Sequence, residues 1–264
     1  NAVADPLEQW LSAPHVFLYI VVFVGSFFVY NAATRPAAAM ERDSRKRLLP
    51  LIFGFIPGLR YSHAEEPQSF PAMPKAAIGS FDRQTFDDVV SGRYEDFDFE
   101  LFEAHFYDRS GPGETTAFQG VVVAFPTLAP FPGLLVATRK ANQVSGFFGG
   151  WFGQRELDRV ESGVAALDSN YDFRTDNAEA ARPIVTGSLA QALQWLIEHW
   201  PDEPARVALS GQQGYLFLPQ AKDFFALPSG AQPISYQQHV APIIADLLSI
   251  LASAALVRKA TRPL

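Results

Sequence analysis

One stretch limits what this chain can fold into more than any other: Val16 to Ala33, VFLYIVVFVGSFFVYNAA. From Val16 to Tyr30 it holds no charged residue, and Ser26 is the polar group that would need a partner in hydrocarbon. A helix rises about 1.5 Å per residue, so the run reaches about 27 Å, the thickness of a thin bilayer core. In lipid the backbone must satisfy its own hydrogen bonds, which makes the run helical despite its valines and phenylalanines. Trp10 precedes it and Tyr30 stands near its end, where amphipathic rings favour the interface. The expectation is one transmembrane helix over 16–33, behind a short non-cytoplasmic segment, 1–15.

Two other readings compete. Ala37-Ala38-Ala39 offers a signal-peptide cleavage site, but Asp5 and Glu8 stand before the run where a signal peptide needs basic residues. A buried core helix seldom runs this long without a charge. The basic residues follow the run: Arg35, Arg42, Arg45, Lys46, Arg47 and Arg60, against Glu41 and Asp43. The positive-inside rule then puts everything after Tyr30 on the cytoplasmic side of a bacterial inner membrane.

The chain has 264 residues and a net charge of −7, with six basic and two acidic side chains between 34 and 60. A basic collar beside the membrane and an acidic body suit an anionic leaflet and argue against nucleic acid. Cysteine is absent, which removes disulfides, thiol catalysis and cysteine-based zinc sites. After the collar, LLPLIFGFIPGL (48–59) is too short and too broken by Pro50 and Pro57 to cross a bilayer. It reads either as an interfacial helix or as a helix packed on the following domain. In the first case Arg42, Arg45, Lys46, Arg47, Phe53 and Phe55 form a membrane-surface set. Pro67, Pro71 and Pro74 make 61–80 a linker, so 34–80 is collar, interfacial helix and linker together.

A soluble domain is expected over 81–230. A helix over Asp82–Val90, capped by Ser80 or Asp82, opens it. Phe97, Phe99 and Leu101 alternate with Asp98 and Glu100 as in a half-buried strand. The apolar phase then moves to Phe102, Ala104 and Phe106, which suggests a bulge near Phe102. Thr116–Phe125 reads as a buried strand, Leu134–Thr138 as another beyond three prolines, and 164–167 and 171–173 as short strands. Asp176 or Asn177 caps a helix interrupted at Pro183 and Gly187, and 207–209 with 215–218 suggests a hairpin across SGQQG. Phe147, Phe148, Trp151 and Phe152 form a glycine-rich aromatic contact loop. Residues 231–264 end in an amphipathic docking helix with Asp246, Ser249 and Ser253 on one stripe.

Chemistry has few places to hide. Glu103 and His105 share a strand face at i, i+2 and, with Asp108, are the weak candidates for acid–base work. His15, His63, His199 and His239 show no metal-ligand spacing, and no Walker, G-x-S-x-G or H-E-x-x-H pattern occurs. An exposed polar strand face is the alternative for Glu103 and His105. No cofactor and no metal is expected.

The order of several segments resembles an uncharacterised bacterial family of membrane-anchored proteins, domain of unknown function 3137. The resemblance runs from about Arg45 to Leu256 and rests on LLPLIFGFIPGLRY, FDFELFEAHFYD, FQGVVVAF, RKANQVSGFFGGWFG, YDFRTDNAEAARPIVTGSLAQAL and GYLFLP. Such members look like they carry two adjacent membrane helices, which implies another before residue 1. Ala181-Arg182-Pro183 departs from the family's helix start. The resemblance implies architecture and no reaction.

The expectation is therefore an α+β domain, a largely antiparallel sheet with helices packed on one face, preceded by one transmembrane helix. Its function is read as a membrane-tethered binding or scaffolding module that joins a membrane protein partner. A membrane-associated hydrolase using Glu103 and His105, and an anionic-lipid sensor, are the alternatives.

Overall fold

In the computed structural model the described residues are 45–109, 113–140, 157–201, 203–227 and 234–262. The apolar run 16–33, Arg42 and the aromatic loop Phe147, Phe148, Trp151 and Phe152 lie outside them. The chain divides into two compact units. One is Asn1–Arg45 with Pro228–Pro233, of which only Arg45, a buried residue, is described. The other, Lys46–Leu227 with Ile234–Leu264, is the α+β unit described below.

Strands dominate this unit, and their apolar side chains are buried on both faces of the sheet. Seven strands form one sheet in the order β1-β2-β3-β4-β6-β5, with β7 also on β4, and every pairing is antiparallel. They are β1 (Arg60–His63), β2 (Arg83–Tyr94), β3 (Phe97–Asp108), β4 (Thr115–Arg139), β5 (Asp158–Val160), β6 (Tyr171–Thr175) and β7 (Arg206–Pro219). Helix α1 (45–52) precedes them. Helices α2 (Ala165–Asn170), α3 (Ala178–Thr186), α4 (Ser188–His199) and α5 (Ala241–Ala260) follow in turn.

All five helices lie on one face, where Phe97, Phe99 and Leu101 of β3 meet Leu49, Leu167, Val185, Leu193 and Ile250. The opposite face carries Phe102, Ala104 and Phe106, and it is buried too. Of residues 61–80, expected as a linker, the first three belong to β1, and the rest run with 81–82 across this face, with two 3₁₀ turns, Phe70–Ala72 and Lys75–Ala77. Phe81 stacks 4.6 Å from Phe106 and Phe70 lies 4.8 Å from Phe86, centroid to centroid. The change of apolar phase in β3 thus needs no bulge in that strand, since both faces want apolar side chains.

The bulge is real but sits in β2. Phe86 pairs with Ala104 and Val89 with Phe102, so Asp87 and Asp88 together oppose Glu103. This region was expected as a helix over Asp82–Val90. The strand wins because Phe86, Val89 and Val90 are needed at sheet faces, and Ser80 caps nothing but bonds Asp108 instead.

Thr116–Phe125 and Leu134–Thr138 are one strand, β4, and the expected hairpin at 207–218 is likewise one strand, β7. β7 runs beside β4 throughout, while β3 and β6 take the other side of its first and second halves. The prolines fall between those halves, where the β4–β7 register slips from Pro126↔Gln213 to Phe131↔Gly211 and no ladder bond is demanded on the other side. Residues 164–167, expected as a short strand, fall at the start of α2 (Ala165–Asn170), whereas Tyr171–Thr175 is a strand. Asn177 caps α3 through Oδ1, which accepts from the Ala180 N–H at 3.1 Å.

Helix α5 and the π turn before it, Tyr236–Ala260 in all, are long and apolar enough to cross a membrane by length and composition. Here Leu247, Ile250, Leu251 and Ala254 are fully buried in the core. The expected polar stripe is split: Asp246 is exposed, but Ser253 is buried, donating to Ser249 O and accepting from Trp200 Nε1.

Candidate functional site

Glu103 follows Phe97, Phe99 and Leu101 at the same alternating positions of β3, two residues beyond Leu101. It is only 8% exposed, so the reading of an exposed polar strand face does not hold for it. The β2 bulge sets Asp87 and Asp88 opposite, and Gly120 of β4 opens the other side. Gly120 has φ +151°, and a Cβ there would run into the backbone of Leu218, Pro219 and Gln220. The chain leaving β7 can therefore cross closely over β4. Gln119 O accepts from Gln220 N at 2.9 Å, and Gln119 Nε2 donates to Ala221 O at 3.2 Å. Phe224 N–H then donates to Glu103 Oε1 at 2.6 Å, and Asp223 Oδ1 accepts from Phe225 N at 2.9 Å.

Between these elements lies a cavity of about 380 Å³, lined among others by Asp87, Glu103, His105, Gln119, Lys222 and Asp223. Burial, then the nearby Asp223, Asp88 and Asp87 carboxylates, push the Glu103 carboxyl up to about 8, against the pull of the Phe224 N–H. At neutral pH Glu103 is therefore mostly the neutral acid.

His105 lies in the same cavity, with Nδ1 bonded to the Tyr107 hydroxyl at 2.5 Å and Nε2 3.3 Å from Thr116 Oγ1. Burial holds its imidazole below the usual value, partly offset by Glu114. Glu103 and His105 are thus brought together, as expected, but Asp108 is not: it accepts from the Ser80 hydroxyl at 2.5 Å and lies outside the cavity lining.

Asp88 is fully buried and was missed in the sequence. It accepts from the Tyr61 hydroxyl at 2.5 Å, and His63 Nδ1 stands 3.0 Å from both Asp88 and Asp87. Two groups of ligand-type atoms, His63 with Asp87 and Asp88, and Asp88 with Glu103 and Asp223, lie within 4.8 Å of one another. These are the residues that could hold a cation. The Asp-Asp pair in TFDDVV was the available signal, hidden by reading that segment as a helix.

Of the membrane-surface set, Phe53 is corrected: it is fully buried, edge-on to Phe225 at 5.3 Å. Lys46, Arg47 and Phe55 are exposed, and Arg45 is buried.

No protein-family model matches this chain, and no curated protein matches its sequence. Its fold is similar to the crystal structure of the mycobacterial trehalose monomycolate transport factor A, TtfA, at 12% identity and a TM-score of 0.45. That likeness covers 78% of this chain and 88% of the other.

Proposed function

We propose that this protein is a membrane-anchored binding module whose acidic cavity at Glu103 receives a positively charged group of a membrane protein partner. The observation that carries this reading is the cavity wall: Asp87, Glu103 and Asp223 converge on one opening while both faces of the sheet are covered from within the chain. Burial and the neighbouring carboxylates favour the neutral form of Glu103, and a lysine or arginine side chain entering the cavity would favour its ionised form by direct charge attraction. The apolar run 16–33 supplies the anchor, and the basic residues behind it favour a cytoplasmic domain. A C-terminal reporter active only in the periplasm would reverse that sidedness.

The test is photo-crosslinking in cells from the full chain carrying a benzophenone residue at Gln119. A defined adduct with a membrane-fraction protein, reduced about tenfold or more by Asp223→Lys, is expected from like-charge repulsion between the new lysine and the incoming cation. No adduct, or an adduct indifferent to Asp223→Lys, contradicts the reading.

One observation favours a second reading, a hydrolase. Glu103 stays protonated near neutral pH within reach of a cavity that also holds His105, which suits a general acid. His105→Gln separates the two: an enzyme loses its cellular activity at an unchanged melting temperature, whereas a cation receptor keeps it.

A further inference from the structure

The segment that opens the α+β unit turns two large apolar side chains outward. Leu49, Phe53 and Ile56 enter the core, while Leu51 is 78% and Phe55 51% exposed. Lys46 and Arg47 are exposed one turn before Leu51, and Arg60 is exposed just after the segment. Arg47 and Leu51 lie four residues apart on α1 and so share a side, and Phe55 is exposed in the turn that follows the helix.

Two facts identify what covers this side. The charge around the apolar tips is positive, which complements an anionic surface. The chain that leads into Lys46 comes from the apolar run ending at Ala33, and the residues between can span no more than about 40 Å even fully extended. A protein interface needs about 800 Å² from each partner, far more than two side chains offer, whereas shallow insertion of apolar tips with a cationic rim is what a lipid headgroup layer accepts.

We propose that Leu51 and Phe55 dock into the headgroup region of an anionic bilayer, with Lys46, Arg47 and Arg60 against the lipid phosphates. This rests on the membrane anchoring proposed above and is independent of what fills the Glu103 cavity. It seats the unit by its α1 end. The Asp108–Thr115 end of β3 and β4, reached along the twelve residues of β3 from Phe97, is then held away, roughly 35 Å along the strand.

The chain has no cysteine, so a single substitution gives a unique labelling site. Nitroxide labels at Leu51→Cys, Phe55→Cys and Glu114→Cys, in the full chain in phosphatidylcholine discs with or without phosphatidylglycerol, read the docking directly. In phosphatidylglycerol discs the labels at 51 and 55 are expected to meet oxygen and not aqueous nickel reagent, and the label at 114 the reverse. Lys46→Gln and Arg47→Gln each lower the lipid-facing fraction about fivefold. Labels at 51 and 55 open to nickel, or shielded from both reagents as under a protein partner or a second copy, overturn the proposal. Lipid exposure indifferent to lipid charge also overturns it. A chain that does not float with the discs contradicts the anchoring itself, whereas a floating chain with water-facing labels contradicts docking alone.

Discussion

Glu103 is where the fold accepts a cost. Burial and the neighbouring aspartates favour its neutral form, and the Phe224 N–H donated to one oxygen opposes them. Its folded value of about 8 lies above the ordinary 4.5, so the folded chain keeps a proton that the unfolded chain has lost between those values. Stability from this group is full below pH 4.5, falls as pH rises through that window and levels off above about 8. Glu103→Gln removes the fall, and melting followed from pH 5 to 8.5 is expected to show the variant gaining roughly 3–5 kcal/mol over the parent at the alkaline end. A pH profile identical in both would mean that Glu103 is not buried as described. The pairing of Glu103 with His105 could be read from i, i+2 spacing on a strand. Asp88 could not, because only the bulge in β2 carries it to the face where Glu103 waits.

Elements explain most of what composition obscured. The arm over residues 64–82 holds three prolines and reads as linker, yet Phe70 and Phe81 close the second face of the sheet against Phe86 and Phe106. Phe81→Ala should therefore cost about 3–5 kcal/mol in denaturant unfolding, as for a core aromatic. A cost below about 1 kcal/mol, ordinary for a surface position, would return the arm to the status of a linker. Strand period was legible in FDFEL because polar and apolar residues alternate there. It was not legible in RQTFDDVV, where the bulge breaks the alternation. The prolines of β4 suggested two strands, since nothing local reveals that β7 bridges the gap between its halves. The α3–α4 break was legible at Gly187, and Asn177 has the chemistry of a cap, but the interruption expected at Pro183 does not occur, because Pro183 lies inside α3.

At the scale of the molecule, one sheet is covered by helices on one face and by the arm on the other, and the polar opening at Glu103 sits at the edge of the helical cover. The class of fold was accessible from alternating segments followed by helical ones; the second cover was not, as its residues show no period. The same arrangement links the cavity to the opening segment, because Phe224 bonds Glu103 while its neighbour Phe225 rests on Phe53. The central claim is that the cavity is a receptor for positive charge. It is tested most directly by following the Glu103 side-chain carboxyl ¹³C shift against pH, in the full chain in lipid discs, with and without excess lysine-rich peptide. The account predicts titration near pH 8 for the protein alone and at clearly lower pH with the peptide, because a cation in the cavity favours the ionised form. Titration near the ordinary 4.5 in the protein alone, or a midpoint that the peptide leaves unmoved, would contradict it.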